Sequence, residues 1–247
     1  DHDIVHTGQW HYKENQAQTT IVYAYNSNAE AVELTRLHGE QNRVWTSIDE
    51  IPESLQKAYI ALEDKRFEKH DGVDWIRTVK AVITFGKAGG GSTLTQQLIK
   101  NLTGENGKTV SRKFYEILNA LNLEKHASKS TILEAYMNTV YMSHGCYGVK
   151  TTAEKYFGKD LSELNIAECA SIAAITQNPS TNDPLLHPEA NRKRQLTCLN
   201  NMLKEGYISQ EEYDEAVAYE MIFTNSENYV KKDNGAAKTE NKAAVNT

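Results

Sequence analysis

No run of 18 or more apolar residues occurs in the 247 residues, so no segment is long enough to cross a bilayer as a helix. The chain also lacks an opening methionine with a signal-peptide pattern. It begins Asp1-His2-Asp3, and the expectation is that any targeting segment has been removed or lies outside this sequence. Cysteine is scarce: Cys146, Cys169 and Cys198 are odd in number, far apart and without a Cys-x-x-Cys pair. That argues against a disulfide framework or a thiolate zinc site and leaves buried free thiols. Positive charge is short overall, with 27 lysines and arginines against 33 acidic residues and a net charge of −6. A general nucleic-acid binder needs a dominant basic surface, so that class is excluded. No internal repeat is visible.

What is present is the composition of a folded protein, 39% hydrophobic and 24% charged, long enough for one large domain or two small ones. Residues 1–18 and 224–247 have no periodic apolar positions. They read as a polar N-terminal segment and a polar linker around a domain at 19–223. Thr19–Tyr25 and Arg43–Trp45 are β-branched or aromatic enough for short strands, paired across the polar loop between them. After Pro52 the pattern is helical. Leu55, Ala58, Tyr59 and Leu62 recur at helical spacing, as do Val110, Phe114, Ile117, Leu118 and Leu121, and both helices are expected to bury that face. A helix near 73–85 ends at Gly86, another runs from Pro188 to Gly206, and Ser209 with Glu212 forms a capping box for the last. The fold class is mainly α with a small N-terminal β hairpin.

Three consecutive glycines, Gly89-Gly90-Gly91, precede Ser92 and a helical stretch. Such a run costs too much backbone entropy for an element interior and implies a loop or a close backbone approach to a ligand. Ser92 is the expected cap. Leu94, Leu98 and Leu102 lie on one side of the helix, with Thr93, Gln96 and Lys100 opposite, a polar stripe carrying one cation. A phosphate-binding Walker A loop is disfavoured, because the nearest candidate, 102–109, has Leu102 where the first glycine belongs.

Glu63 and Asp64 end one apolar-faced helix, and Glu116 lies one turn after Arg112 and beside Lys113 on another. Acids from two helices converging on a cationic cleft would suit glycosyl transfer, which needs a proton acceptor for the attacking hydroxyl and charge to manage the leaving group. Taken alone, Arg112 and Glu116 read first as a surface ion pair worth about 0.3–0.5 kcal/mol. Between residues 65 and 115 there are ten basic and four acidic residues. Within that segment Trp75, Ile76, Val79, Val82, Ile83 and Phe85 alternate with Arg77, Lys80 and Lys87, a pattern that suits lying on an anionic membrane surface and equally a core helix with solvated lysines. A lipid-anchored, phosphate-bearing substrate accounts for both features.

Glu63-Asp64-Lys65-Arg66-Phe67-Glu68-Lys69-His70-Asp71-Gly72 resembles the first motif of the peptidoglycan glycosyltransferases, the lysozyme-like domain of class A penicillin-binding proteins and monofunctional transglycosylases. Gly90 to Asn101, Arg112 to Glu116, Ile132 to Tyr141 and Ala153 to Lys159 resemble the motifs that follow, in order. After Tyr141 the family has an aromatic residue and a glycine where this chain has Met142-Ser143.

The resemblance implies a lysozyme-like helical fold and polymerisation of lipid II, with inversion and release of undecaprenyl pyrophosphate, at the extracytoplasmic face of a bacterial cell membrane. It implies Glu63 as general base and Glu116 beside the departing diphosphate, acting directly or through a divalent cation (Mg²⁺ or Mn²⁺). It assigns Lys100, Arg112 and Lys113 to diphosphate charge, and Ser92, Thr93, Gln96 and Gln97 to sugar or phosphate oxygens. Asn138 and Tyr141 resemble cleft-lining positions; Asp64 counts among the binding residues but is expected mainly to shape its motif, as is His70. The partners implied are lipid II, the growing glycan strand and a membrane surface, with a transpeptidase domain beyond the polar end at 224. Ser54-Leu55-Gln56-Lys57 formally matches a transpeptidase Ser-x-x-Lys, yet it lies within a helix and no Lys-Thr-Gly follows. A lysozyme-like hydrolase or a non-catalytic cell-wall scaffold are the alternatives.

Overall fold

The computed structural model describes residues 20–25, 31–37, 42–84, 90–104 and 109–231. Two strands at the N-terminal end, β1 (Thr20–Tyr25) and β2 (Ala31–Leu37), form an antiparallel pair with an irregularity at Val22/Tyr23. The partner of β1 is therefore a strand inside the stretch read as a polar loop, not residues 43–45. The next strand, β3 (Asn42–Arg43), pairs in parallel with β4 (Cys146–Tyr147), a two-residue strand inside the region read as helical throughout.

Helices make up the rest: α1 (Glu53–Glu63), α2 (Trp75–Ile83), α3 (Leu94–Thr103), α4 (Val110–His126), α5 (Lys129–Thr139), α6 (Val149–Phe157), α7 (Ile166–Ile175), α8 (Pro188–Lys204) and α9 (Gln210–Ala218). Every residue of α7 from Ala167 to Ile175 is buried. A helix apolar on nearly all sides belongs in the interior, and α1 and α8 pack against α7, whose one charged residue, Glu168, is paired with Lys159 at 2.6 Å. Leu55, Ala58 and Tyr59 of α1 are fully buried, as their spacing required, and Leu62 packs against the core. All three cysteines are free and buried. Burial pushes the Cys169 thiol up to about 12, which suppresses the reactive thiolate.

Local chemistry sets the helix ends. Thr93, not Ser92, caps α3: its side chain accepts the Gln96 amide while Gln96 Oε1 accepts the Thr93 N–H, a reciprocal pair that satisfies two otherwise orphaned donors. Ser209 and Glu212 form the predicted box at α9. Helix α8 begins at Pro188, and Gly206 follows it at φ +73°. Helix α2 ends at Ile83; Gly86, the expected stop, and Phe85 lie outside the described residues, as do 1–18 and 232–247.

Two departures concern surfaces. On α4 the apolar series Val110, Phe114 and Leu118 is exposed, together with Tyr115, while Glu116, Ala120 and Leu123 turn inward. The expectation that α4 buries its apolar stripe is corrected, because the face meeting the protein contains a carboxylate. Residues Thr224 and Asn225, expected in the linker, bond back onto the domain, Thr224 N–H to the Tyr156 carbonyl at 2.9 Å and Asn225 Nδ2 to the Leu185 carbonyl at 3.1 Å.

Candidate active site

The polypeptide around Asp64 is welded before any cleft is formed. Asp64, fully buried at the end of α1, accepts the Leu94 N–H at 3.0 Å from the first turn of α3 and faces His70 Nε2 at 3.0 Å and Arg77 at 3.4 Å. A buried carboxylate at a helix N-terminus is favoured by the helix dipole and the unpaired amides there. Thr93 adds a bond from Oγ1 to the Gly72 carbonyl, 2.6 Å. Gly72 itself sits at φ +90°, and a Cβ there would come 2.5 Å from the Ala120 carbonyl of α4, so only glycine fits. These bonds fix the ends of α1 and α3 and the middle of α4 relative to one another. That sets Glu63, one residue before Asp64, and Glu116, one turn before Ala120.

Both acids line one cavity of about 900 Å³, with Arg77, Ser92, Gln96, Gln97, Lys100, Arg112, Lys113, Tyr141 and Arg194 among its walls. The Glu63 side chain is 10% exposed. Its Oε1 accepts from Arg194 at 2.7 Å and lies 3.1 Å from Thr176 Oγ1, while Oε2 accepts from Gln97 Nε2 at 3.2 Å. Glu116, also nearly buried, is held by Arg112 at 2.7 Å and by Lys113, whose ammonium also donates to Ser92 Oγ at 2.7 Å. The ion pair that taken alone read as surface decoration thus stands on the wall of the cleft. Five cations against two carboxylates leave the described lining with three excess positive charges in a chain whose total is −6. Such a cavity concentrates and orients an anion.

The glycine run backs onto α2. A Cβ on Gly91 would come 3.1 Å from the Thr78 Cα, and Arg77 clips the Gly90 carbonyl at 3.0 Å. Gln96 lines the cavity although it is fully buried, and its Nε2 has no hydrogen-bond partner. An unpaired buried donor is costly, so a ligand oxygen at this point would be strongly favoured.

Of the sequence-predicted site residues, Glu63, Ser92, Gln96, Gln97, Lys100, Arg112, Lys113, Glu116 and Tyr141 come together at this cavity. Asp64, Thr93 and Asn138 do not. The first two are interior bonds described above, and Asn138, fully buried, exchanges hydrogen bonds with Thr46, donating to its carbonyl and accepting its N–H, both at 2.8 Å. Their polar groups are spent on the fold and leave nothing for a substrate. Sequence reading missed Arg194, Thr176 and Tyr147 as lining residues. Tyr147 packs at a tilt against Tyr141, centroids 5.1 Å apart, and the aromatic pair around a glycine-rich loop was the available signal. Nothing local marked Arg194 on a polar helix.

A divalent cation does not fit these residues as a resident cofactor. Glu116 is a single carboxylate with both oxygens engaged by cationic side chains. No group of three or more His, Cys, Asp or Glu able to hold a metal occurs among the described residues.

A family model described as Transglycosylase matches residues 30–203. The chain belongs to the transglycosylase family. Among curated relatives of this transglycosylase, penicillin-binding protein 1F of Bacillus subtilis (strain 168) is 44% identical over 184 residues, 73% of this chain and 26% of that protein. Penicillin-binding protein 1A of Aquifex aeolicus (strain VF5) is 42% identical over 200 residues, 79% of this chain and 27% of that one. The chain therefore spans about a quarter of the length of the curated relatives it matches. A crystal structure of penicillin-binding protein 1A from Haemophilus influenzae matches with a TM-score of 0.47 and 24% identity over 81% of this chain and 20% of that one.

Proposed function

We propose that this transglycosylase polymerises lipid II into glycan strands. The observation that carries the reading is the shared cavity: one carboxylate, Glu63, held ready by neutral and cationic donors, and a second, Glu116, embedded among cations on the opposite sequence motif. In the reaction the acceptor's 4-hydroxyl gives its proton to Glu63 as its oxygen bonds to the anomeric carbon of the donor. The bond from that carbon to the diphosphate oxygen breaks, and the electron pair leaves on undecaprenyl pyrophosphate. Attack opposite the leaving group inverts the centre. Lys100, Arg112 and Lys113 stabilise the charge that develops on the diphosphate.

The lipid tail needs an apolar surface. Trp75, Ile76, Val79 and Ile83 on α2 and Val110, Phe114 and Tyr115 on α4 are each more than half exposed, far more apolar surface than a soluble face retains without a partner. No helix among the described residues is long and apolar enough to cross a membrane. The exposed faces support seating in the surface of one leaflet, and lipid II as substrate is what favours the extracytoplasmic side.

Purified lipid II supplied in detergent tests the reading. Wild type is expected to convert it to glycan chains, and Glu63→Gln to lose at least about 10²-fold in kcat. A Glu63→Gln variant turning over at the wild-type rate under saturating substrate removes the base assignment. Release of short fragments from polymeric peptidoglycan would instead favour a hydrolase.

A further inference from the structure

The Glu63 carboxylate is oriented by side chains that lie beyond it. Its Oε1 is occupied by Arg194 at 2.7 Å with Thr176 at 3.1 Å, whereas Oε2 has a single neutral donor, Gln97 Nε2 at 3.2 Å. Oε2 therefore keeps a lone pair for the incoming proton. A glutamine amide can present either end, and its direction is set by what its other end meets. Here the other end meets Tyr136, whose hydroxyl donates to Gln97 Oε1 at 3.0 Å.

We propose that Tyr136, acting through Gln97, is a positioning residue for the Glu63 carboxylate. The inference rests on the reading of Glu63 as the base. Tyr136 is fully buried and fixed edge-on against Tyr59, with ring centroids 5.8 Å apart. Burial, reinforced by the Glu63 charge, holds its phenol well above the ordinary tyrosine range, so it keeps the proton that it donates to the Gln97 oxygen, while the acceptor-only Glu63 carboxylate takes the N–H₂ end. With the oxygen of Gln97 committed to Tyr136, the amide N–H₂ must face Glu63. If the amide turned over, its oxygen would confront Oε2, acceptor against acceptor, and the carboxylate would swing off the line of attack. An error of this kind costs turnover rather than binding, because misplacement by about 1 Å lowers the rate about 10²-fold. The arrangement links α5 to α1 through α3, and the functional role of Tyr136 lies two hydrogen bonds from the reacting oxygen.

A double-mutant cycle on lipid II polymerisation separates positioning from simple packing. Tyr136→Phe keeps the buried ring and removes only the hydroxyl. It is expected to lower kcat about tenfold with KM within about twofold. Gln97→Ala should cost at least as much, and the double variant no more than Gln97→Ala alone, since without the amide the hydroxyl has nothing to orient. Losses that multiply in the double variant, or wild-type kcat in Tyr136→Phe, overturn the proposal. Glu63→Gln run alongside distinguishes the failures: if it is inactive while Tyr136→Phe is wild type, only the relay is wrong. If it is active, the base reading itself has failed. Should Tyr136→Phe unfold, Gln97→Ala and Gln97→Glu carry the test. Gln97→Glu sets a carboxylate against Glu63 and should lose more kcat than Gln97→Ala; an equal or smaller loss argues against the proposal.

Discussion

The guanidinium of Arg194 lies 2.7 Å from the carboxylate of Glu63, joining α8 to the end of α1 across 131 residues of sequence. A charge-assisted bond of this kind fixes orientation and supplies the permanent positive partner that a nearly buried carboxylate needs. Arg194→Ala is expected to lower kcat by about 10- to 100-fold, the worth of one charged hydrogen bond, with KM little changed. Arg194→Lys should recover part of the loss, because the charge returns without the planar fork. If Arg194→Ala instead raises KM and keeps kcat, Arg194 belongs to substrate binding.

How much of this was legible in the sequence depended on whether the signal was local. The α1 core stripe was readable because its apolar spacing and its burial coincide. The α4 stripe was misread for a physical reason: helical periodicity reports an apolar face but not which partner covers it, and on α4 that face points away from the protein. The motif acids and cations were legible as types, yet the division between cleft residues and scaffold was not. Asp64, Thr93 and Asn138 carry the same polar chemistry as Ser92 and Gln97, and only three-dimensional packing reveals that their partners are backbone groups. Arg194 had no local signal, because its partner lies in another helix far along the chain. Strand β2 was missed because Glu33 and Arg36 make Ala31–Leu37 look like loop, although alternating polarity is also compatible with a strand.

Asp64 gives the clearest stability prediction. Its buried oxygens hold the first turn of α3, His70 and Arg77, so Asp64→Ala strands the Leu94 amide and the buried His70 imidazole, while Arg77 keeps the Glu63 and Gly90 carbonyls. We expect a loss of about 3 kcal/mol in urea unfolding, with activity falling in proportion to the unfolded fraction. A variant of wild-type stability that is nevertheless inactive would return Asp64 to the list of groups that touch substrate.

The exposed apolar faces predict membrane affinity. Ile76→Glu on α2 and Phe114→Glu on α4 should each weaken co-sedimentation with anionic phospholipid vesicles by about tenfold or more, since each removes a large side chain from the apolar contact. Val230→Glu is the control, an exposed apolar residue outside both helices. Equal effects from all three would mean that added negative charge, not lost apolar contact, governs binding.

The second carboxylate makes a prediction whose direction is informative. Glu116 pairs with both Arg112 and Lys113 in the resting site and offsets one of their two charges, so an arriving diphosphate must compete with it for both cations. Glu116→Gln removes that competition, leaving the positive wall uncompensated and the diphosphate bound too firmly to leave. Inorganic pyrophosphate should inhibit this variant at least about fivefold more tightly than wild type, on the order of 1 kcal/mol, the interaction of two unit charges about 4 Å apart when fully screened by water, while lipid II turnover falls. Tighter pyrophosphate binding with slower turnover is the signature of a carboxylate that sets the release of the leaving group. If pyrophosphate instead binds the variant more weakly, and does so only when Mg²⁺ is supplied, then the carboxylate attracts the diphosphate through a shared cation, and the charge competition described here is wrong.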